Sequence, residues 1–193
     1  MELGRNLGIA VGCPQIQESF WRSRPDLQVF PLVCGSGEGC RKLHFDERIQ
    51  VLVRERLFTV TSSNDFDELN ELYSEQFKIH GVSSDAMLMP KGRHLQRYQL
   101  VTDILGRLPG SSVLDFGCGL GFLLSHLQMT DLVFKYHGVD LNEEFIESCK
   151  QRFGADSDFL HVGPHQTLSG DFDVIYASGV FNIQVGDNAD ESL

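Results

Sequence analysis

No stretch of the sequence holds the ~18 successive apolar residues that a membrane-spanning helix needs. The opening MELGRNLGIAVGCPQ carries one arginine and only a short apolar run, which falls short of a secretory signal. The chain therefore reads as cytoplasmic. Basic residues are in deficit: 16 Lys and Arg stand against 27 Asp and Glu, a formal net charge of −11. Phosphate backbones are held by clustered cations and repelled by surplus carboxylates. The cations here are scattered in small groups, at Arg22/Arg24, Arg41/Lys42 and Arg54/Arg56, so a long nucleic-acid substrate is disfavoured. Cysteine is sparse as well, at positions 13, 34, 40, 118 and 149 with no CxxC pair. The Cys34 to Cys40 spacing is too wide for a usual zinc knuckle, so no metal site is expected, and reduced thiols are. Internal repeats and low-complexity tracts are missing too.

What is present is ordinary globular material: 193 residues, 41% hydrophobic and 22% charged, enough for one domain with a small appendage. Residues 26–45, DLQVFPLVCGSGEGCRKLHF, read as a strand, Gly-rich turns and a return strand. Residues 48–60, RIQVLVRERLFTV, suit a strand or a short helix. A helix is expected from Ser63 or Asn64, with acidic residues in its first turn and Phe66, Leu69 and Leu72 or Tyr73 at helical spacing. A second helix is expected in RHLQRYQLVTDILGRLPG, with Leu95, Tyr98, Val101 and Leu105 on one face and Pro109-Gly110 ending it.

From residue 111 the pattern turns regular. SVLDF, KYHGVDL, DFLHV and FDVIYAS read as strands, separated by helices FLLSHLQM and EEFIESCKQRF and by the link GPHQTLSGD, which is too short for a crossover helix. Apolar strands alternating with amphipathic helices indicate parallel β-α-β units, hence a Rossmann-like, doubly wound, mostly parallel α/β sheet.

The turn between the first strand and its helix is the informative part. At the carboxyl end of such a strand a ligand meets backbone N–H groups and the positive end of the following helix. A nucleotide P-loop needs GxxxxGK followed by Ser or Thr, yet Gly121 precedes Phe122 and no lysine stands near. The dinucleotide fingerprint GxGxxG needs a third glycine where Phe122 stands. The residues present are Asp115-Phe-Gly117-Cys-Gly119-Leu-Gly121. Asp115 sits badly beside a pyrophosphate and suits a ligand with a cationic end. Asp140, at the tip of the next strand, is placed to accept hydrogen bonds from two ribose hydroxyls. Its bland alternative is a helix N-cap, a role open to Asn142 instead. Cys118 reads as space-filling, and His126, His137 and His161 as fold histidines.

VLDFGCGLGFLL, YHGVDLNEEFIESCK and FDVIYASGVFN resemble motifs I, II and IV of the class I S-adenosylmethionine-dependent methyltransferases, over residues ~95 to 183. The resemblance implies S-adenosyl-L-methionine as cofactor, with S-adenosyl-L-homocysteine as product. It implies that Asp115, Gly117, Cys118 (through its backbone) and Gly119 line the methionine part, that Gly121 permits close helix packing and that Asp140 holds the ribose, with Leu141 packed on the adenine. It further implies Ser178 and Gly179 facing the sulfonium or the acceptor, and Arg97 serving the cofactor carboxylate, with Tyr73 and Lys91 closing over the site. Where the family often has an acidic residue for the adenine, Pro164 stands, leaving His165, Gln166 or backbone.

Methyl transfer is an in-line displacement that relies on alignment and water exclusion, so no universal catalytic residue is expected. The D/N-P-P-Y/F signature of amino-directed nucleic-acid methyltransferases is absent, ASGVFN standing there, which favours a small-molecule or protein acceptor. The family's sheet has seven strands, whereas four are legible here. The sequence thus reads as an N-terminal extension of unassigned role (1–62) and a partial methyltransferase-like domain (63–193). Truncation, a partner chain completing the sheet, and N-terminal segments near 27–33 and 51–60 supplying strands in permuted order are the alternatives. A catalytically inactive binding or assembly module and, third, an NAD-type oxidoreductase are the competing functions.

Overall fold

In the computed structural model, residues 7–11, 28–29, 43–45, 63–89, 93–154, 158–163, 166, 168 and 170–180 are described. The expected strand or helix at 48–60, Lys91, Pro164 and His165 lie outside them.

The elements run β1 (Leu7–Val11), β2 (Gln28–Val29), β3 (Leu43–Phe45), α1 (Ser63–His80), α2 (Arg93–Leu105), β4 (Ser111–Phe116), α3 (Phe122–Leu127), β5 (Phe134–Asp140), α4 (Glu143–Phe153), β6 (Phe159–His161), β7 (Gly170–Phe172) and β8 (Val174–Ser178). The main sheet has the order β2-β1-β8-β4-β5-β6. Its β8, β4, β5 and β6 are mutually parallel, as the strand-helix alternation predicts. β1 joins β8 antiparallel, Leu7 opposite Ser178 and Val11 opposite Val174, and β2 pairs parallel with β1. The outer edge of β8 is therefore paired, by a segment upstream of those singled out in the sequence.

Two other segments differ from expectation. The two strands described within 26–45 do not pair with each other: β2 joins β1, while β3 pairs antiparallel with β7 in a separate two-stranded sheet. FDVIYAS is not one strand, because Phe172 belongs to β7 and the chain bends at Asp173. The Asp173 carboxylate causes the break by accepting from the backbone N–H and the hydroxyl of Ser112, both at 2.8 Å.

The helices explain the burial. On α2, Tyr98, Leu100, Val101, Ile104 and Leu105 pack with Val113, Leu123, Leu127, Val174 and Tyr176. Leu95, expected on that face, is instead 54% exposed, since the buried stripe starts one turn later. α4 sets Ile146 and Cys149 against Cys118, Leu124 and Phe159. The opposite face of the sheet, with Leu114, Val139 and Ile175, is packed by Leu168 and Phe172. α1 lies against α4 through edge-on contacts of Tyr73 and Phe77 with Phe145, and Ala86 and Leu120 complete that cluster. Of the two candidates on α1, Tyr73 packs inward and Leu72 is 42% exposed.

Candidate functional site

The site lies where β4, β5 and β8 end together. The turn after β4 returns so tightly that Gly119 and Gly121 take left-handed φ of 53° and 70°, which side-chain-bearing residues rarely adopt. A Cβ on Gly121 would come within 2.7 Å of the Phe153 ring and 3.1 Å of Cys149 Sγ, so this glycine lets α3 and α4 close on each other. At Gly117 and Gly119 the space a Cβ would take is occupied by Val180 and by the Met87 side chain.

The turn's N–H groups do not stand free. Gly117 and Cys118 donate to the carbonyl of Val139 at 2.8 and 3.0 Å, and Gly119 donates to Asp140 Oδ2 at 2.7 Å. The sequence leads one to expect backbone N–H groups presented to a ligand; here three of them anchor the turn to β5. That leaves no anion-binding nest at these positions, in keeping with the missing P-loop and dinucleotide patterns.

Two carboxylates flank the turn. Asp140 closes β5: its Oδ1 accepts from Asn142 N–H at 2.9 Å, its Oδ2 from Gly119 N–H. It does not cap α4. Asn142 does, through Oδ1 to Phe145 N–H at 3.0 Å, while its amide donates to Asn70 O and Ser74 Oγ of α1. Burial raises the Asp140 carboxyl above the ordinary carboxylate range, opposed by the N–H donors and by His161. Asp115, 2% exposed, lies on β4 with Tyr176 opposite on β8 and Gly138 opposite on β5. Burial pushes its carboxyl up to about 7, the Tyr136 hydroxyl bonded to Oδ2 at 2.5 Å works against that, and Asp140 adds to it.

On the β8 side, Arg97 of α2 donates to Ser178 Oγ at 2.8 Å, bringing together two residues 81 positions apart that the sequence pointed to separately. Leu141 is half-buried, with its carbonyl 3.0 Å from His161 Nε2. Tyr73 stands near Asp140, and burial followed by that charge pushes its phenol up to about 12. Cys118 and Cys149 are free, buried thiols, and both sulfurs lie against the Gly119 carbonyl. Burial raises the Cys118 thiol well above its usual range, which makes it a packing residue. His137 pairs with Asp158, and His126 Nε2 meets Thr102 Oγ1 at 3.2 Å. Among the described residues no cluster suited to a metal occurs, and no helix is long and apolar enough to cross a membrane.

Sequence reasoning missed Tyr136 and Met87. The signal for Tyr136 was available in principle: aligning the carboxyl ends of two neighbouring parallel strands puts it diagonally beside Asp115 on the same face.

Residues 114–192 match the family model described as a methyltransferase domain. Over that segment the chain has a methyltransferase-like α/β fold. A Mycobacterium tuberculosis protein named "Putative methyltransferase Rv1506c" is 32% identical over 76 residues, which is 38% of this chain and 44% of that one. The chain thus spans less than half the length of this curated relative. Among solved structures, magnesium protoporphyrin IX methyltransferase from Synechocystis PCC 6803 is 21% identical, over 53% of this chain and 56% of that one, with a TM-score of 0.36. A SAM-dependent methyltransferase from Geobacter sulfurreducens is 20% identical, over 48% and 35%, with a TM-score of 0.32.

Proposed function

We propose that this domain binds S-adenosylmethionine and serves methyl transfer to a small-molecule or protein acceptor. The observation that carries this reading is the pair of buried carboxylates on either side of a glycine turn whose N–H groups are already consumed. Such a site opposes any anionic ligand and favours a cation or a diol. S-adenosylmethionine has both, and it supplies an electrophilic methyl group on a sulfonium when bound. Asp140 keeps lone pairs on both oxygens after accepting from Gly119 and Asn142, so it would hold the ribose hydroxyls. Asp115 sets negative charge behind the turn, facing the ammonium end. Arg97, with Ser178, would receive the carboxylate. Cys118, Gly117 and Gly119 contribute the shape of the turn, and Leu141 an apolar wall for the adenine.

Nothing in this set needs to act as a base; the chain's part is to bind, orient and exclude water. The acidic balance of the sequence argues for an acceptor other than nucleic acid. Calorimetric titration of the 193-residue chain with S-adenosylhomocysteine, with NADH as control, tests the reading. Saturable binding of the first alone is expected; NADH binding with no response to S-adenosylhomocysteine overturns it. Binding without transfer to any acceptor would identify the competing binding-only module.

A further inference from the structure

Asp115 is the most deeply enclosed charge among the described residues, and a single side chain reaches it with a strong donor. Tyr136 lies diagonally across from it, in register with Val113, and bonds Oδ2 at 2.5 Å. What lets the ring lean there is the residue directly opposite Asp115, Gly138. A Cβ at that position would come within 2.7 Å of the Phe159 ring and 3.0 Å of Tyr136 Cε1. Phe159 in turn braces Tyr136, with ring centroids 5.7 Å apart, and stacks on Phe153 at 5.5 Å. The phenol is thus delivered by a missing side chain and held by an aromatic row, from β5 through β6 to the end of α4.

We propose that Tyr136 is a positioning residue for the cofactor site: its phenol hydrogen bond fixes the orientation of the Asp115 carboxyl and favours its ionised form, so that ligand binding strengthens as Asp115 ionises. The link to ligand binding rests on the S-adenosylmethionine reading above; the hold of Tyr136 on Asp115 does not. An acceptor-only carboxylate takes a short, strong bond from a phenol, and a protonated one takes a weaker bond. The other groups facing Asp115 do not serve this purpose. Asp140 opposes its ionisation from β5, and the phenols of Tyr98 on α2 and Tyr176 on β8 and the Cys118 thiol all face it as groups whose own ionisation its charge suppresses. The cation on that side, Arg97, is engaged with Ser178.

The test uses the full chain labelled with 13C. The Asp115 carboxyl carbon should titrate near neutral pH in the unliganded protein, and the Tyr136 ζ-carbon should report the same midpoint. Tyr136→Phe should move the Asp115 midpoint up by roughly one pH unit or more, the loss of one charge-assisted hydrogen bond. Tyr98→Phe, which removes a neighbouring phenol, should leave it nearly in place. In parallel, for a shift of about one unit, the affinity of Tyr136→Phe for S-adenosylhomocysteine should fall about fivefold at about pH 7 and recover near about pH 9. An unmoved midpoint, or in wild type a Tyr136 ζ-carbon that ignores Asp115, overturns the proposal, and the second measurement stands even if the variant fails to fold. A moved midpoint with an affinity ratio flat in pH also overturns it. If wild type binds no S-adenosylhomocysteine, the cofactor reading fails by itself, and the carbon titrations alone decide the hold on Asp115.

Discussion

Replacing Asp115 by asparagine should make the unliganded protein more stable at neutral and alkaline pH, not less. A carboxyl held at about 7 in the folded state, against an ordinary 3.8, binds its proton more tightly when folded. For a folded value raised in this way, the unfolded chain releases the proton first. The contribution to stability is therefore intact below about pH 4 and is lost progressively until about pH 7, after which the cost is constant. The difference of about three pH units amounts to a total on the order of 4 kcal/mol. About half of that, ~2 kcal/mol, falls between about pH 5.5 and about pH 8.5, a range that keeps clear of precipitation near the isoelectric point. Asp115→Asn abolishes the charge and keeps an acceptor for the Tyr136 hydroxyl. Asp140 remains in both proteins, so the difference between them isolates Asp115. Urea unfolding followed by circular dichroism should show wild type losing stability relative to the variant as pH rises, and the variant more stable by about 2 to 4 kcal/mol near about pH 8. Parallel pH profiles for the two proteins would refute the reasoning. The same variant should bind S-adenosylhomocysteine more weakly, and this opposition of signs separates a binding residue from a packing one.

Three further outcomes follow from the geometry. Asp140→Ala should weaken S-adenosylhomocysteine binding by about 1 to 3 kcal/mol in calorimetry, because the proposed site gives the ribose diol to the carboxylate that also accepts from the Gly119 N–H. Gly121→Ala should cost about 2 to 4 kcal/mol of folding stability in urea, since a left-handed φ and contacts with the Phe153 ring and Cys149 act together. Asn142→Ala should lower stability by about 1 to 2 kcal/mol, through loss of the α4 cap, and its amide's bonds to α1 should make α1 the region that gains most hydrogen exchange.

The parts legible in the sequence were those that act locally. Asp115, the glycine turn and Asp140 each follow from a strand end and the turn chemistry beside it, and the α4 cap is a property of Asn142 and its next three residues. The alternation of strands and helices from residue 111 likewise needs only the period of the apolar residues. What escaped depends on pairing. Nothing in LGIAV says that it will lie antiparallel against residues 174–178, and nothing in LHF says that it will meet GDF. Leu95 was misplaced because a helical stripe gives a face but not the turn at which contact with the sheet begins. Tyr136 escaped because its reach depends on the register of two strands and on the gap at Gly138.

The pairing of β1 with β8 bears on the order in which the molecule can assemble. β4, β5 and β6 are joined by short crossovers and can gather with little loss of chain entropy. The bonds between residues 7–11 and 174–178 close the largest loop in the sheet, and they can form only after β8 has been made. During synthesis β1 must wait, and in refolding β8 spends the interval with its outer backbone groups exposed, a surface on which another chain's strand can add. Refolding yield should accordingly fall with protein concentration more steeply than the parallel strands alone would require.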